Sequence, residues 1–430
     1  MEQASPSSPN NKLSTRLALM LAALVSIGPF AIDAYLPALP GMAVFYDVSM
    51  ASVQMSISLF FVGFALGQVV GGPVSDRVGR RPVALVGLSI FTLTSLLIVW
   101  TQSVDELLVL RFIQALGGGA TTVISSATVR DRYRGRDVAK MLSMVSMIML
   151  MAPMLAPGIG AIALNFFSWQ SIFGIQAVYG LLLLLMVVFQ LPETNPNPKA
   201  EGPLVRGILQ KYAEVLGTPK AMGFVLCTGF SLGCLFTFLT GSAFTYIEYF
   251  GVSTNMYPIL FGSNVLIYMM VNRLNMKLLN RYEPVQLIPI GIAIQLTSMV
   301  VFNAVLHFFN PGLPFVYLMI TLTISSIGFI AANSTSCTLK YFPHSSGTAN
   351  AVIGTLNFGL GGVVGILMSL MHDGTLVPIA TTMFLVSFLS LVFFVWGMRA
   401  PEPEIPGQAS ESQSALSDSA TKAVREPADL

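Results

Sequence analysis

Residues 52–101 read SVQMSISLFFVGFALGQVVGGPVSDRVGRRPVALVGLSIFTLTSLLIVWT, and this stretch decides the fold. Two apolar runs, at 52–74 and 82–101, flank a short loop that carries three arginines. Each run has roughly the 20 residues that an α-helix needs to cross the hydrocarbon core of a bilayer. We therefore predict two membrane-spanning helices that are joined on one side of the membrane by a basic loop.

The same pattern of apolar runs continues along the whole chain. Hydrophobic residues make up 54% of the sequence and charged residues only 10%, whereas a soluble domain has about 25% charged residues. This composition excludes a water-soluble globule and predicts an all-α membrane protein with twelve transmembrane helices. These helices are placed at residues 17–39, 52–74, 82–101, 106–128, 142–164, 170–190, 222–246, 256–276, 285–306, 314–338, 347–371 and 376–397.

A break between the sixth and seventh predicted helices divides the chain. Residues 191–220 are rich in proline and contain four Lys or Arg residues. This composition predicts a basic linker between two pseudo-symmetric six-helix bundles, at 12–190 and 221–397. The terminal segments 1–11 and 398–430 are rich in Ser, Pro, Ala and charged residues, which is typical of disordered tails.

The basic residues are distributed very unevenly between the two sides of the membrane. With the predicted helices in place, 21 of the 22 Lys and Arg residues fall on one side. The charged residues of the opposite loops are all acidic. The positive-inside rule makes the basic side cytoplasmic, so both termini are expected in the cytoplasm. The remaining basic residue is Arg111, inside the fourth predicted helix.

Arg111 needs a partner or an aqueous cavity, because an arginine within the hydrocarbon costs at least about 2.5–3.5 kcal/mol on insertion scales. Asp33 in the first helix is the expected partner, since the helical rise puts both residues about 7–9 Å from the same membrane face. One interpretation is that Asp33 binds and releases a proton under the influence of a moving arginine. The other is a fixed ion pair that holds two helices together. Intramembrane ionisable residues are usually functional, which favours the first.

Further polar and thioether side chains inside the helices are candidates for coupling or substrate binding. Glu248, at the outer end of the seventh helix, is either a second proton-coupling or cation-recognition group or an interfacial carboxylate that reaches water. A methionine stripe on the fifth helix suits a surface that binds varied apolar compounds, although packing or lipid contact is the commoner role. Asparagines in the later helices either bond across helices or line a cavity. The candidate cavity residues are Tyr35, Gln114, Met147, Met151, Asn333 and Asn357.

The sequence gives no support to several other classes of function. It has no Gly-x4-Gly-Lys-Ser/Thr phosphate loop, so ATP-driven pumping by this chain is not expected and an ion gradient is the expected energy source. Three cysteines fall inside apolar runs and three histidines do not cluster, so neither a metal site nor a cofactor is expected. We predict neither an enzyme nor a nucleic-acid-binding protein.

Several motifs resemble those of the major facilitator superfamily. GPVSDRVGRR at 72–81 is similar to the signature loop between helices 2 and 3 of that superfamily. LLVLRFIQALG at 107–117 and APMLAPGIG at 152–160 are similar to its helix-4 proton-coupling motif and its helix-5 antiporter motif. IDAYLPALP at 32–40 closely resembles helix 1 of the Bcr/CflA drug-resistance branch. The loop and antiporter motifs place Gly72, Asp76, Arg77, Gly79, Arg80, Arg81, Pro153, Pro157, Gly158 and Gly160 among the candidate site residues.

The resemblance implies the major facilitator fold and a proton-coupled exporter of drugs such as bicyclomycin or chloramphenicol in a bacterial inner membrane. It implies that the two bundles alternate access to a central cavity, that Asp76 and Arg77 clamp the halves together on the cytoplasmic side, and that the protein is a monomer. The expected partners are a drug-like small molecule, protons and the lipid bilayer. Two alternatives remain open: a transporter of a small metabolite, such as an amino acid or sugar derivative, and a membrane sensor that does not transport.

Overall fold

The computed structural model describes residues 14–134, 136–195, 212–342 and 346–402. Within these residues every predicted span coincides with a helix, and we number the helices α1–α12. The all-α, twelve-helix prediction is confirmed. The predicted tails at 1–11 and 398–430 and the predicted linker at 191–220 lie wholly or largely outside the described residues.

Most of the helices run without interruption, and three are built of shorter pieces. The continuous helices are α2 (Met50–Val78), α3 (Arg80–Ile98), α4 (Val104–Arg132), α6 (Gln170–Gln190), α8 (Tyr257–Leu278), α9 (Pro284–Phe308), α10 (Leu313–Leu339), α11 (Ser346–Leu370) and α12 (Val377–Arg399). The interrupted helices are α1 (Thr15–Val25, Ile27–Asp33 and Leu39–Tyr46), α5 (Arg136–Met149 and Met151–Phe166) and α7 (Pro219–Ala243, continued by the π-helical Phe244–Tyr249).

Length and apolar content support a membrane protein. In the part of the chain that the structure describes, 11 stretches are long and apolar enough to span a bilayer, and Thr15–Val25 is a shorter apolar helix that leads into the first of them. The 22-residue helix α8 is not among the eleven. Polar side chains such as Asn264 and Arg273 dilute its apolar sequence, although its length matches that of its neighbours.

Prolines explain the interruptions in α1. Pro29 lacks the N–H that would bond the carbonyl of Val25, and Pro37 lacks the one that would bond the carbonyl of Asp33. The helix therefore stops at Val25 and again at Asp33. The second stop leaves carbonyl groups without helical partners inside the protein, where other side chains must satisfy them.

Glycines permit the close helix contacts that hold each bundle together. A Cβ atom at Gly63 of α2 would lie 2.5 Å from the main-chain oxygen of Phe112 in α4. In the second bundle, a Cβ atom at Gly397 of α12 would lie 2.8 Å from the Cα atom of Gly223 in α7. Larger side chains at these positions would force the helices apart.

We name the two ends of the molecule by their charges. The basic end carries the arginines of residues 72–81 and 130–134, and the acidic end carries Asp47, Asp105, Glu106 and Asp373. The two bundles meet along α2 and α11, where a Cβ atom at Gly365 would lie 2.5 Å from Ser58 Oγ. At the acidic end, Asn165 Nδ2 in the first bundle donates a hydrogen bond of 2.8 Å to Asn255 Oδ1 in the second. These contacts close the acidic end.

Candidate functional site

Arg111 is completely buried in α4 among three aromatic rings. Its guanidinium carbon lies 4.3 Å from the ring centres of Tyr35 and Phe60 and 5.7 Å from that of Phe173. The faces of aromatic rings carry negative partial charge and attract a cation. This aromatic cage replaces part of the hydration that the guanidinium loses inside the membrane.

Two glutamines and a main-chain carbonyl complete the surroundings of Arg111. Its Nη1 donates to Gln114 Oε1 at 2.6 Å and to the Ala31 carbonyl at 3.3 Å. Gln114 Nε2 donates to Ser95 Oγ at 2.6 Å and to Gln176 Oε1 at 3.0 Å, and Gln176 Nε2 donates to the same Ala31 carbonyl at 3.2 Å. That carbonyl is available because α1 breaks just beyond it. The network therefore ties α1, α3, α4 and α6 together at the break.

Asp33 ends the middle piece of α1 and is only 3% exposed. Among the described residues, no cation lies within ion-pair distance of its carboxyl group. Its electrostatic neighbour is Tyr257 of α8. The Tyr257 hydroxyl in turn shares a hydrogen bond of 2.7 Å with Ser242 Oγ in α7. Asp33 therefore interacts with the second bundle.

The predicted pairing of Asp33 with Arg111 is wrong for this conformation. Aromatic rings occupy the place beside the guanidinium, and the break in α1 leaves Asp33 at the bundle interface. In the described part of the chain, Nε and Nη2 of Arg111 are buried without hydrogen-bond partners. Unpaired buried N–H groups are costly. A conformation that brings a carboxylate to Arg111 would remove this cost.

The residues of the antiporter motif pack against α1. A Cβ atom at Gly160 would collide with the main-chain oxygen of Ala34, whereas one at Gly158 would have no atom within 4 Å. The two prolines, Pro153 and Pro157, lie in the same piece of α5, and Pro157 is buried. Glycine at position 160 thus allows α5 to touch the main chain next to the buried carboxyl group.

Glu248 lies apart from this site. It is an exposed residue of the π-helical end of α7, and its electrostatic neighbour is His372 in the loop between α11 and α12. This placement favours the interpretation of Glu248 as an interfacial carboxylate that reaches water.

A cavity of about 560 Å³ opens at the basic end between the two bundles. Pockets for drug-sized molecules usually measure about 300–1,000 Å³. The walls of this cavity combine small hydroxyl, amide, apolar and charged groups, among them Gln68, Thr122, Ser125, Arg130, Met149 and Asn350. Because the acidic end is closed, the protein is in a conformation that is open toward the basic end.

The structure places none of the six predicted cavity residues on the walls of this cavity. Tyr35 and Gln114 are both completely buried around Arg111. Asn333 pairs with Asn275 of α8 through reciprocal amide bonds of 2.8 and 3.4 Å, so that it joins two helices. Asn357 is partly buried in α11, and in the described residues its Oδ1 has no hydrogen-bond partner.

The methionine stripe also lies elsewhere. Met147 and Met151 are 70% and 56% exposed on the surface of α5, which fits the lipid-contact interpretation. Met149, on another face of the same helix, lines the cavity instead.

The predicted basic loop at 72–81 is helical except at Gly79, since it comprises the end of α2 and the start of α3, and it is held within the first bundle. Arg80 donates through Nη1 to Asp76 Oδ1 at 2.5 Å and to Ser75 Oγ at 2.7 Å, and through Nε to Asp131 Oδ2 at 3.0 Å. Gly79 separates α2 from α3 with φ of +111°, a conformation that favours glycine. The loop therefore forms a rigid corner built on Arg80.

The clamp between the halves that the resemblance implies for Asp76 and Arg77 is not formed among the described residues. Asp76 and Gly72 line the open cavity, and Arg77 is partly exposed. Arg81 Nη2 donates to the Val188 carbonyl at 2.6 Å, again within the first bundle. An open basic end requires that such a clamp be released.

Glu193, which the sequence patterns did not single out, anchors the start of the predicted linker. Its carboxylate accepts hydrogen bonds from the main-chain N–H groups of Arg80 at 2.9 Å and Arg81 at 3.1 Å. Burial alone would raise the pKa of Glu193, but main-chain N–H groups of Asn195, Arg80, Arg81 and Thr194 donate to it and hold the pKa below its ordinary value. The available signal was an acidic residue directly after α6, at the start of the basic linker.

Two polar residues on the bundle interface were also missed. Gln54 of α2 is 0% exposed, and in the described residues both its amide nitrogen and its amide oxygen lack a hydrogen-bond partner. Ser58, four residues on and therefore on the same helix face, has an unpartnered Oγ that lies against α11. The interface thus buries polar groups that would be hydrated if the acidic end opened.

The side chains of the site limit the chemistry that it can support. Within the residues described, no three or more His, Cys, Asp or Glu side chains come together in a way that could hold a metal ion. The site combines a buried carboxyl group, a caged guanidinium and a cavity open to one end. Such a set can exchange protons and hold a small molecule.

Comparisons with known proteins agree with this architecture. The sequence profile described as Major Facilitator Superfamily matches residues 19–366. The bicyclomycin resistance protein homolog of Haemophilus influenzae is 29% identical over 377 residues, covering 87% of this chain and 94% of that protein. The multidrug resistance protein MdtL of Klebsiella pneumoniae is 31% identical over 350 residues, covering 79% and 85%. The crystal structure of a D-xylose-proton symporter aligns with a TM-score of 0.70 at 15% identity, over 92% of this chain and 99% of that one.

Proposed function

Because the chain belongs to the major facilitator superfamily and is therefore a membrane transporter rather than an enzyme, we propose that it is a drug/proton antiporter that works by alternating access. The relatives named for bicyclomycin resistance and multidrug resistance match the Bcr/CflA branch. Their names support drug-like small molecules, bicyclomycin among them, as the exported substrates. The motif resemblance adds chloramphenicol to the proposed substrates.

The observation that carries the proposal is the burial of Asp33 at the bundle interface without a cation partner among the described residues. A charged carboxylate in this place would be very costly, whereas a neutral one is tolerated. We therefore infer that the conformation open at the basic end holds Asp33 in its protonated form. Water reaches Asp33 when the acidic end opens, and the proton enters from that side.

In the second state of the proposed switch, Asp33 is ionised and pairs with Arg111. In the present conformation two of its nitrogens have no partner in the described chain, and its charge is held by aromatic rings. An ionised Asp33 that approached Arg111 would be stabilised by its charge. Drug binding in the basic-end cavity favours this paired state and releases the proton toward the basic end. The drug and the proton then favour different states of the protein. Each shifts the equilibrium only as far as its own affinities for the two states differ.

The proposed orientation follows from the charges. The positive-inside rule places the basic end in the cytoplasm, together with both termini. The cavity of about 560 Å³ then opens to the cytoplasm, which is the side from which an exporter loads its drug. We propose a bacterial inner-membrane location and a monomer as the transporting unit.

Drug efflux from proteoliposomes under an imposed pH gradient tests the proposal. Vesicles containing the wild type should export a neutral drug faster with the gradient, and both Asp33→Asn and Arg111→Ala should abolish this acceleration. Asp373→Asn, which removes an exposed carboxyl group of the acidic end, is the matched control and should transport normally. If Asp33→Asn still exports the drug with normal dependence on the gradient, the proton role of Asp33 is wrong.

A panel of substrates distinguishes the remaining alternatives. Bicyclomycin and chloramphenicol represent drugs, while amino acids and sugar derivatives represent metabolites. Gradient-dependent movement of metabolites alone would favour a metabolite transporter. Absence of movement for every compound, by a protein that binds one of them, would favour a sensor.

A further inference from the structure

A second, smaller cavity lies at the basic end on the outside of the first bundle. It measures about 280 Å³ and forms where α1 begins and where α4 and α6 end. In the described part of the chain, it shares no lining residue with the transport cavity. Its volume is just below the range of about 300–1,000 Å³ for drug-sized ligands. This cavity is therefore separate from the transport cavity and slightly smaller than a usual drug-sized pocket.

Positive charge dominates the polar wall of the small cavity. Arg16 and Arg132 line it, and among the described lining residues none is acidic. Arg16 Nε donates to Gln190 Oε1 at 3.2 Å, which fixes the guanidinium beside the end of α6. Ser14 caps the first turn of α1 by accepting a hydrogen bond from the Leu17 N–H, and the positive end of the helix dipole adds to the field. The cavity is therefore suited to an anion.

The remaining wall is apolar. Leu17 and Met20, 7% and 3% exposed, form its inner side, and Phe189 is 79% exposed at its rim. These residues lie where the apolar sequence of α1 starts and that of α6 ends, which is the level of the membrane–water boundary. A free inorganic anion would make no use of an apolar wall. An anion that carries hydrocarbon would use both walls.

We propose that this cavity binds the headgroup of an anionic phospholipid, with the phosphate between Arg16 and Arg132 and an acyl chain along Met20 and Phe189. Basic pockets between transmembrane helices are known to bind anionic headgroups by this combination of charge and apolar contact. The lipid joins the start of α1 to the ends of α4 and α6. It thereby reinforces the hydrogen bond of 3.3 Å from the Ser14 N–H to the Tyr133 hydroxyl.

Native mass spectrometry and thermal unfolding in nanodiscs test the proposal on the full chain. Phosphatidylethanolamine nanodiscs are compared with equimolar phosphatidylethanolamine and phosphatidylglycerol. We expect the wild type to retain phosphatidylglycerol and to unfold at a higher temperature in the mixed lipid. Arg16→Gln with Arg132→Gln should weaken retention about fivefold for each arginine lost and abolish the lipid-dependent rise in Tm. Arg399→Gln removes one exposed arginine at the basic end outside the cavity. It is the control for loss of positive charge elsewhere and should retain both effects.

Three comparisons separate lipid binding from misfolding, from a net-charge effect and from binding of a free anion. Arg16→Lys with Arg132→Lys keeps the charge and should restore most of the retention, which shows that loss in the glutamine variant is not misfolding. Equal retention by the double glutamine variant and the wild type overturns the proposal. Equal loss in Arg399→Gln also overturns it, because the effect would then be net charge alone. If inorganic phosphate in phosphatidylethanolamine nanodiscs reproduces the full rise in Tm, the site binds a free anion and the lipid assignment is wrong.

Discussion

Replacing Gln54 by methionine should shift the protein toward the conformation that is open at the basic end. Gln54 is 0% exposed, and in the described residues neither its amide nitrogen nor its amide oxygen has a partner. This cost is present only while the acidic end is closed, since opening would hydrate the amide. Methionine has a similar length and no strong hydrogen-bonding group, so that it removes the cost and keeps the packing.

The size of the shift follows from the cost of an unpartnered buried polar group, about 1–3 kcal/mol. With a value of about 2 kcal/mol, the equilibrium between the two conformations changes about 30-fold, because about 1.4 kcal/mol corresponds to a factor of ten. A wild-type population that is evenly divided would become about 97% open at the basic end. Export should slow, since the acidic-end-open state that releases the drug becomes rare.

Double electron–electron resonance between spin labels at the acidic end measures this shift. Ser168 and His307 are exposed there on opposite bundles and can be labelled after replacement by cysteine in a background without the native cysteines. We expect Gln54→Met to deplete the longer of the two label distances, and Gln102→Met, an exposed control at the same end, to leave the distribution unchanged. An unchanged distribution in Gln54→Met, or an increase in the longer distance, would refute the reasoning.

Three further predictions follow from the site. Gly160→Ala should destabilise the protein by about 1–3 kcal/mol and impair transport, because its Cβ atom would collide with the Ala34 oxygen. Gly158→Ala should be neutral. Thermal unfolding and drug efflux are measured for the two variants. Glu193→Gln should lower stability at neutral pH. Because the folded pKa of Glu193 is depressed, the difference in stability from the wild type should be lost as the pH falls below the ordinary pKa of 4.5 and through the folded pKa. Measurements of Tm against pH check this. Arg111→Lys should lower Tm by an amount equivalent to about 1–3 kcal/mol, because lysine keeps the charge but loses the planar stack between the rings; a Tm equal to that of the wild type would contradict this.

The twelve helices could be predicted from the sequence because they depend on local properties. Length, apolar content and the position of basic loops are all read within about 20 residues, and the bilayer imposes the same length on each helix. Even α8, with polar residues such as Asn264 and Arg273 in its sequence, could be located by its length and flanking charges. Gly63, Gly67 and Gly71 of α2 recur at a spacing of four residues, so that their close contacts with α4 could likewise be expected.

The arrangement of the site could be predicted only in part. Sequence gives the depth of Asp33 and Arg111 along their helices, but not the rotation of each helix about its axis. The breaks caused by Pro29 and Pro37 change that rotation in α1, and aromatic residues from three helices took the place expected for the carboxylate. Depth alone therefore predicted a pair that this conformation does not contain.

The residues that line the cavity could not be predicted from the sequence either. Met147 and Met149 are two positions apart, which puts them on different faces of α5, and only Met149 lines the cavity. Which face is inside depends on the relative placement of the two bundles. That placement changes during alternating access, so a single sequence pattern cannot specify it.

Counting the protons released when drug binds tests the proposed role of Asp33 most directly. Purified protein in weakly buffered solution is titrated with a drug that it exports, while a pH indicator and a calorimeter report protons released and drug bound. We predict that the wild type releases protons on binding, up to about one for each drug molecule, because a single buried carboxyl group carries the exchange. Asp33→Asn should bind the drug and release none. Release of the same number of protons by Asp33→Asn and the wild type would contradict this role.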